Sequence, residues 1–369
     1  MDASRVFFAD MRASAQENLP AKIERLLRRL ELKDIISPRA LTAIKLHFGE
    51  KGNTAFIRPV LIRRIVEHVR SLGGLPFLTD TNTLYSGTRG NSVSHLTTAV
   101  ENGFTFSVVN APVIIADGMR GGSSVEVEVD FEIIKTAHLG REIVESDFLL
   151  SVAHFKGHEL AGFGGTLKNL GMGCASRRGK MAQHADLSPK VKGRKCVGCG
   201  SCVDHCAQSA IHMEVDRARI DPEKCIGCGE CILICPNDAI KIRWNADLPR
   251  FQKKIAEYAA AILRVKKDKA AFVNFVTQVS PGCDCHGYND APIVQDVGIL
   301  ASTDPVAIDQ ASVDLVNGMA GLEHSCLAGG REPGADKFRA VHPKADWTVQ
   351  LDHAEALGLG NRAYELVAI

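Results

Sequence analysis

Two rhythms of apolar positions alternate along the first half of the chain. Val6, Phe7, Phe8 and Ala9 form a short apolar run suited to a buried strand, and residues 19–32 follow with Ile23, Leu26, Leu27 and Leu30 at helical spacing. Asn18 is a suitable cap for that helix and Pro20 falls in its first turn. Residues 42–48 predict a second strand, and residues 58–72 a second helix that stops at Gly73 and Gly74. Residues 75–78 predict a third strand, ending in the polar loop of Thr79, Asp80, Thr81, Asn82 and Thr83. Residues 92–101 read as a helix, residues 125–129 alternate like a half-exposed strand, and residues 147–153 read as a further apolar strand. Strands alternating with helices predict an α/β fold: a mostly parallel sheet with helices on both faces.

Near Ser188 the pattern gives way to glycine, lysine and cysteine, and it resumes around Leu248. Residues 255–265 then read as a helix, 270–277 and 297–301 as strands, and a helix opens at Asp304 and Pro305, with Asp304 as its cap. The expected organisation is an α/β domain in two parts, residues 1–187 and 248–369. Between them, residues 188–247 form a small α+β insert, since loop tips tolerate insertions. The alternative is three domains in series.

Composition narrows the function classes. A chain of 369 residues with 45% hydrophobic and 24% charged residues is neither disordered nor fibrous. With 44 Lys+Arg against 43 Asp+Glu it lacks the basic surplus of a dedicated nucleic-acid binder. Its longest apolar runs fall far short of the ~20 residues of a membrane span. Asp2, Arg5, Asp10 and Arg12 leave no room for a secretory apolar core, so a cytoplasmic location is expected. Of 12 cysteines, eight lie between Cys196 and Cys235, which in such a chain points to metal ligation or redox chemistry.

Those eight form a repeat. Cys196, Cys199, Cys202 and Cys206 recur 29 positions later as Cys225, Cys228, Cys231 and Cys235, each run spaced C-x2-C-x2-C-x3-C. Three cysteines at i, i+3 and i+6 in one loop can hold three irons of a cubane, and Gly198, Gly200, Gly227 and Gly229 let the backbone approach the sulfides. The competing reading is a pair of tetrahedral zinc sites, which usually join cysteine pairs from separated segments. The stretch 195–242 resembles bacterial two-cluster ferredoxins, which implies two [4Fe–4S] clusters. In such proteins the fourth cysteine of each run ligates the other cluster. By that resemblance one cluster uses Cys196, Cys199, Cys202 and Cys235, and the other Cys225, Cys228, Cys231 and Cys206. One departure is Ala207 after the first run, where the second has Pro236. The stretch 190–243 carries nine Lys+Arg against seven Asp+Glu, unlike a freely diffusing acidic carrier, so electrons are expected to pass to or from its own chain.

A second constellation follows the strand at 147–153. His154 and His158 are candidate acid, base or metal ligands, and Lys168 is a candidate for holding an anionic group, with Asn169 beside it in a glycine-rich loop. The plain alternative is a glycine-rich turn with solvated side chains. Cys283 and Cys285, one residue apart, cannot easily form a relaxed disulfide with each other. They can ligate a metal, face the clusters, or simply fill a loop. Asp309 and the 79–83 loop are further pocket candidates.

His154, the 164–173 glycine run with Lys168 and Asn169, Cys283-Asp284-Cys285, and the pattern from Asp296 and Gly298 through Ser302, Asp304, Pro305, Val306, Ala307 and Asp309 resemble the family catalogued as domain of unknown function 362. Many of its members carry the same ferredoxin insert, so the resemblance implies an iron–sulfur protein without supplying a substrate. The glycine-rich loop with one lysine is also similar to that of nickel-dependent lactate racemases, from which no residue is carried over. The resulting expectation is an oxidoreductase whose two clusters exchange electrons with a pocket around His154 and Lys168. That pocket would take a small anionic substrate or a redox partner, with no nucleic acid and no membrane span. The rivals are an electron-transfer or binding module without its own chemistry, and clusters that serve only to hold the insert folded.

Overall fold

The computed structural model describes residues 3–84, 87–184, 188–206, 208–225, 227, 229–241 and 247–369. Among them, eight strands form one central sheet, in the order Tyr364–Ala368, Ser4–Asp10, Gly298–Ser302, Ala270–Val276, Phe148–His154, Leu41–Lys45, Leu75–Asp80, Val113–Ile115. Only Gly298–Ser302 runs against its neighbours; every other pairing is parallel. The central strands Phe148–His154 and Ala270–Val276 are buried along their whole length, as covered parallel strands must be.

Alternate residues of each strand feed two helical layers. Phe148, Leu150 and Val152 join Ile44 and Leu78 against Ile23, Leu26 and Leu27 of the helix Leu19–Arg28 and Ile62, Ile65 and Val66 of Pro59–Ser71. Leu149, Ala43 and Phe77 face the opposite layer with Ala256, Ala259 and Ile262 of the helix Leu248–Lys266 and Val306, Ala307 and Ala311 of Pro305–Gly318. Each fully buried aliphatic side chain contributes about 1.5–3 kcal/mol relative to exposure. Caps fix where the helices start. Asn18 Oδ1 accepts from Ala21 N at 3.0 Å, and Asp304 Oδ1 accepts from Val306 N and Ala307 N at 2.8 and 2.9 Å. The alternating run near residue 125 does form a strand, Ser124–Glu128, but outside the central sheet. It pairs antiparallel with Thr136–Gly140 and leaves its own alternate residues half exposed.

The direction of chain travel sets where a ligand can sit. From Leu41–Lys45 the chain moves outward through Leu75–Asp80 and Val113–Ile115, then returns to lay Phe148–His154 on the other flank of Leu41–Lys45. The carboxyl ends of these two strands border a topological switch point, where loops diverge and leave a crevice.

Residues 188–241 build small elements of their own. Lys190–Val191 pairs with Ile240–Lys241, and Ile211–Glu214 with Arg217–Ile220. Short helices at Ser201–Asp204 and Glu230–Ile234 each follow a glycine, Gly200 or Gly229, with positive φ. The repeat in sequence is therefore a repeat in structure. Ile211, Ala218, Ile232 and Ile240 make a small core with Leu84 and Met181 of the α/β layer. The helices on either side of this segment, Arg177–His184 and Leu248–Lys266, meet where Lys254 Nζ donates to Ala182 O at 2.8 Å. Residue 187, where the first part was expected to end, and Ala207 and Cys228 lie outside the described residues. No helix among the described residues is long and apolar enough to cross a membrane.

Candidate functional site

A cavity of about 590 Å³ opens at the switch point, with Lys45, Asp80, His158, Lys168, Lys180 and Cys283 on its wall. Lys45 and Asp80 are the last residues of two adjacent parallel strands, so their side chains reach the crevice together; Lys45 Nζ lies 3.0 Å from Asp80. Arg89 lies 3.5 Å from the same carboxylate and 3.2 Å from Glu50. Burial opposes ionisation of Asp80, yet Lys45 and the neighbouring histidines and Arg89 hold its carboxyl well below the usual range. Lys180 donates to Thr81 Oγ1 and, at 2.8 Å, to Ala175 O, and burial pulls its ammonium down.

Lys168 is placed by a buried carboxylate. It sits on the short helix Thr166–Gly171, whose first N–H groups donate to Asp309: Thr166 N to Oδ1 at 2.7 Å and Leu167 N to Oδ2 at 2.8 Å. Asn274 Nδ2 also donates to Oδ1 at 2.8 Å, while burial pushes the Asp309 carboxyl up to about 6. A Cβ at Gly165 would collide with this carboxylate, and one at Gly173 with Lys45 Nζ. At these two positions glycine serves close packing in the cavity wall. Asp309, read from sequence as a weak pocket candidate, anchors the lysine-bearing helix instead. Asn169 ties the helix to the sheet: its Oδ1 accepts from Lys45 Nζ at 2.8 Å and its Nδ2 donates to Ser151 Oγ at 2.8 Å.

The loop after Ala270–Val276 brings in the two cysteines. Lys168 Nζ lies 3.3 Å from Cys283 Sγ, and Cys285 N donates to the same sulfur at 3.4 Å. His158 Nδ1 accepts from Leu160 N and Ala161 N, both at 3.2 Å, which leaves the neutral ring's proton on Nε2. His158 also hydrogen-bonds Cys283, and burial together with Lys168 keeps its ring neutral. The Cys285 thiol, Lys168 and His158 hold the Cys283 thiol well below its usual range against the effect of burial. The hydrogen bond to Cys283 and burial push the Cys285 thiol up.

His154 is placed differently from the expectation that it meets a substrate. It is buried behind the cavity wall, with Nδ1 2.9 Å from Asp284 and Nε2 2.8 Å from Thr277 O. Its role here is to hold Asp284, and with it the loop between the two cysteines. Lys156 Nζ approaches the same carboxylate at 3.3 Å. His158, Lys168, Asn169, Cys283 and Cys285 all line the cavity. Lys45, Arg89 and Lys180 were not read from the sequence. For Lys45 the available signal was its position at a strand's carboxyl end; no spacing marks Arg89 or Lys180.

The cysteine repeat closes around two small hollows. Cys196, Cys199, Cys202 and Cys235 border one, and Cys206, Cys225 and Cys231 border the other. Backbone N–H groups point at the sulfurs: Ala218 N to Cys196 at 3.4 Å, Ala239 N to Cys235 at 3.2 Å, Ala210 N to Cys206 at 3.2 Å. Among the described residues, no three His, Cys, Asp or Glu side chains converge as ligands of a single metal ion. The second run lies on the α/β domain beside the cavity. Arg177 donates to Gly229 O at 2.6 Å and to Glu230 at 3.1 Å, and the Gly229 backbone packs on Leu84, which lines the cavity.

The family described as domain of unknown function 362 matches residues 42–314, and the chain belongs to it. No match is found among curated proteins. Among solved structures, the lactate racemase apoprotein from Thermoanaerobacterium thermosaccharolyticum is similar at 14% identity and a TM-score of 0.36, covering 73% of this chain. The chain spans 50% of that protein's length.

Proposed function

We propose that this member of the domain of unknown function 362 family is a cytoplasmic iron–sulfur redox protein. In this reading residues 188–247 are a ferredoxin-type insert holding two [4Fe–4S] clusters, and the cavity takes a small anionic substrate or the reactive group of a redox partner. One observation carries the reading: the second cysteine run sits on Leu84, a residue of the cavity wall. A pure carrier has no use for such a neighbour, nor for a buried array of cations.

Cys196, Cys199, Cys202 and Cys235 would hold one cluster, and Cys225, Cys228, Cys231 and Cys206 the other. A cubane spreads its irons over a cage, so its cysteines stand further apart than the ligands of one ion. Bound clusters supply one-electron transfer at a potential tuned by hydrogen bonds to sulfur and by exposure. The N–H groups of Ala218, Ala239 and Ala210 stabilise thiolate charge at their cysteines. Gly200 and Gly229 turn the loops with positive φ, which lets the following helices start over the hollows. In the cavity Lys168 and Lys45 attract an anionic group, Asn169 keeps both lysines in place, and His158 spends its N–H on Cys283 at the cavity wall.

The test is an anaerobic EPR redox titration of the reconstituted full chain. The expected result is two one-electron reductions with cluster signals. A redox-silent chain would overturn the reading.

A further inference from the structure

Cys283 stands out among the groups the electron-transfer reading leaves without a task. Its sulfur lies on the cavity wall and is met from three sides: by the Lys168 ammonium at 3.3 Å, by Cys285 N at 3.4 Å, and by His158. Every one of these partners donates. Three donors around one sulfur favour an anion over a thiol, because a thiol offers them only a weak acceptor. The Lys168 ammonium is likewise reinforced: burial pulls it down, but Cys283, Cys285 and Glu159 outweigh burial and raise it. The two members of the pair therefore stabilise each other's charged forms.

We infer that Cys283 is a standing thiolate nucleophile that captures a small carboxylate bearing an electrophilic carbon, with Lys168 as its counter-cation. The inference rests on the cavity alone and needs no cluster. In the capture step an electron pair on Sγ forms the S–C bond while the bond from carbon to its leaving group breaks. The leaving group departs with that pair, and no oxidant or reductant takes part. Lys168, whose ammonium lies 3.3 Å from the sulfur, selects a negatively charged electrophile at its approach. The groups that face the sulfur electrostatically are Lys168, His158, Glu159, Cys285 and His47, the last buried and neutral.

Alkylation of the full-length native protein, mapped by peptide mass spectrometry, tests this at pH 6 with iodoacetate and with iodoacetamide. Capture of iodoacetate exchanges the C–I bond for an S–C bond and releases iodide. At this pH Cys283 should react about tenfold faster than the exposed Cys326, because an ordinary thiol is then almost wholly protonated. Iodoacetate should be preferred over iodoacetamide at Cys283 and not at Cys326. Lys168→Met should slow Cys283 about tenfold and abolish that preference, while Lys168→Arg retains most of it. Slower labelling of Cys283 than of Cys326 in the wild type would overturn the inference, as would an equal response to the two reagents. The wild-type comparison stands even if the lysine variants misfold. Peptide-level readout separates this result from the fate of the clusters.

Discussion

Nδ1 of His154 lies 2.9 Å from both carboxylate oxygens of Asp284, across 130 positions of sequence. The contact joins the end of the central strand Phe148–His154 to the loop that carries Cys283 and Cys285. Both residues are buried, and Lys156 completes the group at 3.3 Å from the carboxylate. Burial opposes ionisation of Asp284, but His154 and Lys156 hold it well below its unfolded value of 3.8. A depressed carboxyl stabilises the fold above that value and loses its contribution as pH falls below it. His154→Ala should cost about 3 kcal/mol in urea unfolding at pH 7, because it removes one partner of a buried charge. A loss under about 0.5 kcal/mol, as for an ordinary surface change, would contradict this role.

The Asp309 carboxylate organises the lysine-bearing helix from behind. Asp309→Ala should destabilise the protein by about 2–4 kcal/mol, since it strands the N–H groups of Thr166 and Leu167 in a buried setting. Amide hydrogen exchange should rise first in the helix Thr166–Gly171. Exchange that rises uniformly, with the helix no faster than the sheet, would count against the anchoring role.

His95 gives the fold a pH dependence of opposite origin. It is fully buried against Phe48, 3.8 Å from Asp80, and burial pulls its ring down to about 3 from 6.5. The unfolded chain therefore binds a proton between pH 6.5 and about 3 that the folded chain does not. Stability should fall as pH drops through that window, with a slope of up to about 1.4 kcal/mol per pH unit from this residue. His95→Phe should make the decline shallower, measured as urea midpoints from pH 7 to 4. Parallel curves for variant and wild type would refute the assignment.

Much of the α/β frame was legible in the sequence because its signals are local. Asn18 and Asp304 precede prolines at helix starts, and the unbroken apolar run Phe148, Leu149 and Leu150, buried throughout with side chains alternating between the two layers, marks a doubly covered strand. The Ser124–Glu128 strand was legible too, but not its exclusion from the central sheet, which depends on pairing with Thr136–Gly140. Lys168 and Cys283 were each singled out by local composition, yet the 3.3 Å contact between them comes from strand order. His154 looked like a pocket residue because it follows a strand. Its burial depends on Asp284 and Thr277, which no local pattern reveals. Lys45 and Lys180 were hidden in ordinary apolar or basic contexts; Lys45 meets the cavity through the parallel pairing of its strand with Leu75–Asp80, and Lys180 through the helix Arg177–His184, which brings it to Thr81.

The cysteine-rich stretch should be removable. Replacing residues 188–246 by a short Gly/Ser linker keeps Asp247, whose side chain caps the helix Leu248–Lys266 through Arg250 N at 2.8 Å. Closure costs change slowly with loop length, so the product should remain a cooperatively unfolding α/β domain without iron. Leu84 and Met181 lose their cover in that product, so a modest drop in stability is expected. A molten or aggregated product would make this stretch an integral part of the core.

The central claim is that the two cysteine runs hold [4Fe–4S] clusters. The measurement that meets it most directly is the content of iron, acid-labile sulfide and zinc per chain after anaerobic reconstitution of the full-length protein. The account predicts about eight irons and about eight sulfides per chain, with negligible zinc. Stoichiometric zinc, with neither iron nor sulfide after the same reconstitution, would contradict it.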